Sequence, residues 1–74
     1  MKKEEMLKFI SDINSEFGDE YGWGWKQWKS KKELESIFID EVFNQLHDNW
    51  VELDSKEYER MRRAIRSYVK NLRN

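Results

Sequence analysis

Large apolar side chains recur at intervals of three and four residues in three stretches of the chain, and this spacing constrains the fold more than any other feature. Such intervals place side chains on one stripe of an α-helix, because successive residues rotate by about 100°. The first stripe lies in residues 6–17 and the third in residues 58–72. The second, in residues 34–50, is broader and covers nearly half of the helix circumference. The pattern predicts an all-α fold, a small three-helix bundle whose second helix touches both neighbours.

Local sequence signals indicate where the helices begin and end. Ser30 is followed three residues later by Glu33, and Asp54 by Glu57; in this pattern each side chain can satisfy a free backbone N–H of the first turn. Gly18 is predicted to end the first helix, because glycine takes a left-handed conformation at a C-cap without steric cost. We predict helices over about residues 3–17, 31–50 and 55–72. At 74 residues, the chain is expected to form one domain, residues 1–74.

The segment between the first two predicted helices is rich in glycine and tryptophan. We predict a long loop over residues 18–29. In an extended loop, alternation of aromatic residues with glycine puts Tyr21, Trp23 and Trp25 on one side. If a helical turn begins early, Trp25 and Trp28 share a face instead. The sequence leaves both paths open.

Composition excludes several classes of function. The chain has no cysteine, which excludes disulfides and thiolate zinc sites, and its one histidine, His47, lies beside Asp48 as a solvated or capping residue would. The longest apolar run is residues 37–39, far shorter than a membrane span requires. We therefore expect a soluble, cytoplasmic protein that is not an enzyme, has no cofactor or metal, and does not bind a membrane.

Charge is distributed unevenly along a chain whose formal net charge is only -1. Residues 33–54 contain seven acidic residues and no Lys or Arg, whereas residues 55–74 contain seven basic residues and two acidic ones. The second predicted helix is therefore acidic and the third basic. Such faces can offset each other within one molecule or between two copies, so a monomer and a homodimer both remain open.

The outward side of the second predicted helix is the main candidate binding surface. There Ile37 lies among acidic and polar residues, and it is either covered by the tryptophan-rich loop or available as an anchor. In the second case the apolar anchor supplies affinity while the acids steer the partner. We predict that a protein partner with a basic surface binds there. The predicted binding residues are Ile37, Asp40, Glu41, Asn44, Asp48, Trp23 and Trp25.

The third predicted helix offers an alternative function, nucleic-acid binding. Basic helices contact phosphates, and the tryptophans of the loop could stack on unpaired bases. The near-zero net charge and the absence of a helix-turn-helix pattern weigh against this alternative. Its predicted residues are Arg62, Arg63, Arg66, Lys70 and Arg73.

The combined features favour a small, non-enzymatic, protein-binding regulator of inhibitor or adaptor type. A compact, cysteine-free, strongly charged single domain is typical of the small proteins with which bacteriophages block or redirect a host enzyme. This association with phages or mobile elements is based on size and composition alone.

Overall fold

Three α-helices and a short 3₁₀ helix make up the computed structural model, which describes residues 2–22 and 24–72. Helix α1 spans Lys3–Tyr21, the 3₁₀ helix spans Trp25–Trp28, α2 spans Lys31–Asp48 and α3 spans Ser55–Leu72. No strand occurs in the described part of the chain. Each of the three α-helices packs against the other two. The predicted all-α fold of three packed helices is confirmed.

The buried core is formed by one stripe from each helix. Its centre is Phe38 of α2, which is fully buried. The ring of Phe38 lies 5.5 Å from that of Phe17 on α1, edge to face, and 5.9 Å from that of Tyr68 on α3. Phe38 therefore joins all three helices. The buried apolar residues of the described chain are Met6, Ile10, Ile13, Phe17, Leu34, Phe38, Val42, Leu46, Met61, Ile65 and Val69.

Helices α2 and α3 run antiparallel. Near their connection, the ring of Phe43 stacks on that of Tyr58 at 4.6 Å. Further from it, Glu35 Oε1 lies 3.9 Å from Arg66 Nε. The contacts thus move backward along α2 as they move forward along α3, as the short connection between them favours.

The predicted starts of α2 and α3 carry the expected hydrogen bonds. The hydroxyl of Ser30 accepts from the backbone N–H of Glu33 at 3.2 Å, and the Glu33 carboxylate accepts from the backbone N–H of Ser30 at 3.2 Å. Asp54 Oδ1 accepts from the backbone N–H of Glu57 at 2.8 Å. Each start is therefore stabilised by residues at most three positions away, which is why it can be predicted locally.

The predicted end of α1 at Gly18 is wrong. The helix continues through Gly18, which is buried, and ends at Gly22, where φ is +86° and the N–H donates to the Gly18 carbonyl at 2.9 Å. Because the helix continues, Tyr21 lies one helical turn beyond Phe17 on the same face, and the two rings are 6.0 Å apart. A second glycine thus provides the positive φ at the helix end while the helix gains an aromatic contact.

The connection between α1 and α2 is therefore shorter than the predicted loop. It covers residues 22–30, and much of it is the 3₁₀ helix Trp25–Trp28. Trp25 packs against the core, whereas Trp28 is 84% exposed. The chain thus takes the helical-turn path rather than the extended one in this part.

The predicted end of α2 at Trp50 is also wrong. Helix α2 ends at Asp48, and Trp50 is 91% exposed instead of lying on the apolar face. The N–H of Trp50 donates to the His47 carbonyl at 3.1 Å, and the N–H of Val51 donates to the Leu46 carbonyl at 2.9 Å. These two bonds form a Schellman motif, which satisfies the last carbonyls and turns the chain away from the helix axis.

The hydrogen bonds at Ser30 make the stability of α2 depend on pH. They lower the pKa of Glu33 below its ordinary value of 4.5, the backbone N–H of Ser30 having the larger effect and its hydroxyl the smaller. Because the pKa is lower in the folded state, the stabilisation is present above pH 4.5 and is lost as the pH falls through the folded-state value.

We expect Glu33→Gln to lower the urea midpoint of unfolding at neutral pH and to have a much smaller effect well below pH 4.5. Urea unfolding of both proteins across this range measures the difference. The same comparison in a Ser30→Ala background is the control: this variant loses the hydroxyl but keeps the backbone N–H, so the difference should shrink only in part. A Glu33→Gln effect that stays constant with pH would contradict this origin.

Candidate functional site

An apolar groove lies where the end of α1, the 3₁₀ helix and α2 meet. Its volume is about 370 Å³, and its lining residues are Phe17, Tyr21, Trp25, Lys29 and Ile37. Ile37 is half-buried and packs at the edge of the core. Of the residues proposed from the sequence, the structure thus brings Ile37 and Trp25 together in one groove.

Aromatic packing forms the wall of the groove on the α1 side. The rings of Phe17 and Trp25 lie 5.4 Å apart at an angle of 74°, close to an edge-to-face arrangement. The ring of Tyr21 lies 5.9 Å from that of Trp25, and Tyr21 remains 59% exposed. Because Phe17 also contacts Phe38, this wall is an extension of the core. The groove is therefore formed by core packing within the isolated chain.

Trp25, which lines this groove, has an indole N–H that donates no hydrogen bond in the described structure. Trp25 Nε1 is buried and has no hydrogen-bond partner among the described residues. A buried donor without an acceptor costs about 1–3 kcal/mol. A group that brings an acceptor to this atom would recover that cost.

An acidic stripe continues along α2 from the groove. Positions 37, 41, 44 and 48 follow at intervals of four, three and four residues, so they share one side of the helix over about 16 Å. Asp40, Asn44 and Asp48 are exposed. None of the residues 33–54 is a Lys or Arg, and the two lysines of α2, Lys31 and Lys32, lie in its first turn, before the stripe begins.

Glu41 is half-buried, unlike Asp40, Asn44 and Asp48. Its Oε1 accepts a hydrogen bond of 2.9 Å from Gln45 Nε2, which also donates to Glu16 Oε2 at 3.0 Å. Gln45 therefore bridges a carboxylate on α2 and one on α1. This contact holds the stripe against α1.

Two of the predicted site residues, Trp23 and Arg73, lie outside the described residues. The other predicted nucleic-acid contacts, Arg62, Arg63, Arg66 and Lys70, are all exposed on α3.

The basic side chains of α3 do not form one free face. The guanidinium of Arg62 lies 5.9 Å from the centre of the Tyr58 ring, and Arg66 approaches Glu35 on α2. Arg63 instead lines a second groove, of about 290 Å³, between α1 and α3. The basic face is thus divided between the two neighbouring helices.

Sequence reasoning missed Trp50 as a surface residue. Its φ of +58° is the only positive value among the described residues other than glycine. A bulky side chain in this conformation costs of order 1–3 kcal/mol, and the position after a helix C-cap normally favours glycine. The tryptophan at this helix end is therefore both strained and exposed. A glycine after the second apolar stripe would have marked the end of α2, but the sequence has none there.

Across residues 2–22 and 24–72, no group of three His, Asp or Glu side chains is placed to hold a metal ion. None of the helices in this part of the chain is long and apolar enough to cross a membrane.

Comparisons with known proteins return no match. No protein-family model, curated protein or solved structure is significantly similar to this chain. Its function is therefore inferred from the geometry of its own residues.

We expect Trp50→Gly to raise the free energy of unfolding by about 1 kcal/mol, because glycine adopts a positive φ without steric cost. Trp50→Ala is the matched control: it also removes the indole but keeps a Cβ, and so keeps the strain. Urea unfolding of both variants isolates the backbone contribution. A glycine variant no more stable than the alanine variant would contradict the strained conformation.

Proposed function

We propose that this protein is a small, non-enzymatic regulator, of inhibitor or adaptor type, that binds another protein with a basic surface. The main support for this proposal is that Ile37 and Trp25 share an apolar groove, and that the acidic stripe of α2 continues from this groove. Partner recognition then combines a central apolar contact with flanking charges.

The groove supplies the affinity in this proposal. Its volume of about 370 Å³ accommodates a large side chain of the partner. Burial of one Val, Leu, Ile, Phe or Met side chain contributes about 1.5–3 kcal/mol. The aromatic wall is held by core packing, so little conformational entropy is lost when the partner docks.

A partner main chain or polar side chain is the expected acceptor for the indole N–H of Trp25. Since Trp25 Nε1 is buried in the isolated chain, a small movement of the surrounding side chains must accompany binding. Side-chain rearrangements of this kind are common at interfaces whose backbone hardly moves.

The acidic stripe supplies the selectivity. Asp40, Glu41 and Asp48 attract a basic surface and repel acidic proteins and phosphates. The division of the basic side chains of α3 also favours protein binding over the alternative, nucleic-acid binding. Two of them, Arg62 and Arg66, already contact Tyr58 and Glu35.

A bacterial host protein in the cytoplasm is the proposed partner. This part of the proposal follows the size, the cysteine-free composition and the strong charge, which suit the small proteins that bacteriophages use against host enzymes.

Capture from bacterial lysate, with and without nuclease, tests the docking surface. We expect the wild type to recover a protein that survives nuclease, and Ile37→Glu to bind it at least about tenfold more weakly, because a charge enters the apolar groove. Leu7→Glu is the matched control, since it makes the same kind of change at a partly exposed site about 15 Å along α1 from Phe17. Tyr21→Ser tests the exposed rim of the groove without burying a charge, and circular dichroism verifies the fold of each variant.

Two outcomes would contradict protein binding at the groove. One is recovery that disappears with nuclease. The other is recovery that fails only in the double variant Arg62→Glu, Arg66→Glu. Either result would favour nucleic-acid binding by α3.

The steering role of the stripe has its own test with the captured partner in purified form. We expect the double variant Asp40→Lys, Asp48→Lys to slow association by about tenfold at low salt while dissociation changes little. Glu4→Lys with Glu59→Lys gives the same change in net charge on the other two helices and serves as the control. Stopped-flow measurements at several salt concentrations separate the two rates. Equal slowing in both double variants would show an effect of net charge alone.

A further inference from the structure

The connection between α2 and α3 forms an exposed apolar corner with acidic flanks. Its main element is Trp50, and the adjacent Val51 is 40% exposed. Asp48, Glu52 and Asp54 are exposed on either side in the sequence. Large exposed aromatic residues in a strained backbone conformation are characteristic of binding sites rather than of stability. A surface that combines an apolar pocket with positive charge would therefore complement this corner.

The groove between α1 and α3 has these complementary properties. It has a volume of about 290 Å³, and none of its lining residues is acidic. Met6 and Ala64 contribute apolar surface, while Lys3, Arg60 and Arg63 contribute positive charge. None of these three cations has an ion-pair partner among the described residues, in contrast to Arg66.

We propose that the Trp50 corner of one molecule docks into the α1–α3 groove of a second copy of this chain. The indole would lie against Met6 and Ala64, where a guanidinium of Arg60 or Arg63 can face the aromatic ring. The carboxylates beside Trp50 would then meet the cations at the rim. Charge complementarity and the match of apolar surfaces together identify the occupant.

Two properties of the chain favour a second copy over an unrelated occupant. The indole of Trp50 is almost fully exposed, so it does not fill the groove of its own molecule. The net charge of -1 gives two copies almost no overall repulsion, although each carries strong local charges. This interaction involves neither Ile37 nor Trp25, so it is separate from the proposed partner-binding groove, and it shares only Asp48 with the acidic stripe.

The contact joins two different surfaces, so one such contact does not by itself complete a closed pair. Each molecule has one corner and one groove, so a pair can close on itself or add further copies. A molecule that lacks the corner and one that lacks the groove can still pair, but their complex must stop at two.

Sedimentation velocity from micromolar to millimolar protein concentration tests the proposal. We expect the wild type to exceed its monomer mass of 9.2 kDa as concentration rises and to return toward it at high salt. Trp50→Gly should weaken association at least about tenfold although it relieves backbone strain, so lost association cannot be attributed to a damaged fold. Arg60→Glu with Arg63→Glu should do the same from the groove side. Trp28→Ala removes another exposed tryptophan and should leave association unchanged.

Mixing the two association-deficient proteins gives the sharpest result. An equimolar mixture of Trp50→Gly and the double arginine variant should form a dimer and nothing larger. The proposal is overturned if the wild type stays monomeric at millimolar concentration and low salt, if Trp50→Gly associates like the wild type, or if the mixture remains monomeric. A contribution from the Ile37 groove would appear as lost association in Ile37→Glu, which would also count against the proposal.

Discussion

The packing of Phe38 against Phe17 and Tyr68 holds the three helices of this protein together. One fully buried ring contacts an aromatic ring on each of the other two helices, so it fixes their separation at a single point. In a chain of 74 residues the core is small, and each large buried side chain makes up a considerable share of the folding free energy. The aromatic packing around this contact also extends to the surface. Phe17 touches Phe38 on one side and Trp25 on the other, so the wall of the candidate binding groove is continuous with the core.

The separation of charge between α2 and α3 governs what the surface can bind. The antiparallel pairing brings an acidic helix beside a basic one, yet only Glu35 and Arg66 form a described ion pair between them. Most of the remaining charged side chains of α2 and α3 are exposed. An apolar feature lies within each charged region: the Ile37 groove beside the acidic stripe, and the groove over Met6 and Ala64 beside unpaired cations. Apolar contact with charged surroundings is the usual composition of a specific binding surface, because area supplies affinity and charge excludes wrong partners.

Two local rules of protein structure are broken in this molecule, and both exceptions concern tryptophan. Trp25 buries an indole N–H without an acceptor, and Trp50 places a bulky side chain at positive φ in full contact with solvent. Neither choice stabilises the isolated chain. Sequences that fold well are locally consistent, so such exceptions concentrate where a protein interacts. Each of the two residues belongs to one of the proposed binding surfaces.

The sequence alone predicts the three helical segments, the capping at Ser30 and Asp54, the bounds of α3 and the opposed charges of α2 and α3. These features depend on hydrogen bonds and side-chain periodicity within about four residues, so they can be derived without knowledge of the fold. The passage of α1 beyond Gly18 depends on tertiary packing, since both Gly18 and Gly22 can end a helix and the contact of Tyr21 with Phe17 and Trp25 favours the later one. Tertiary packing also brings Ile37 and Trp25 into one groove and takes Trp50 off the apolar face. Packing between residues distant in sequence sets these outcomes, and the local pattern carries no information about which distant side chain will be met.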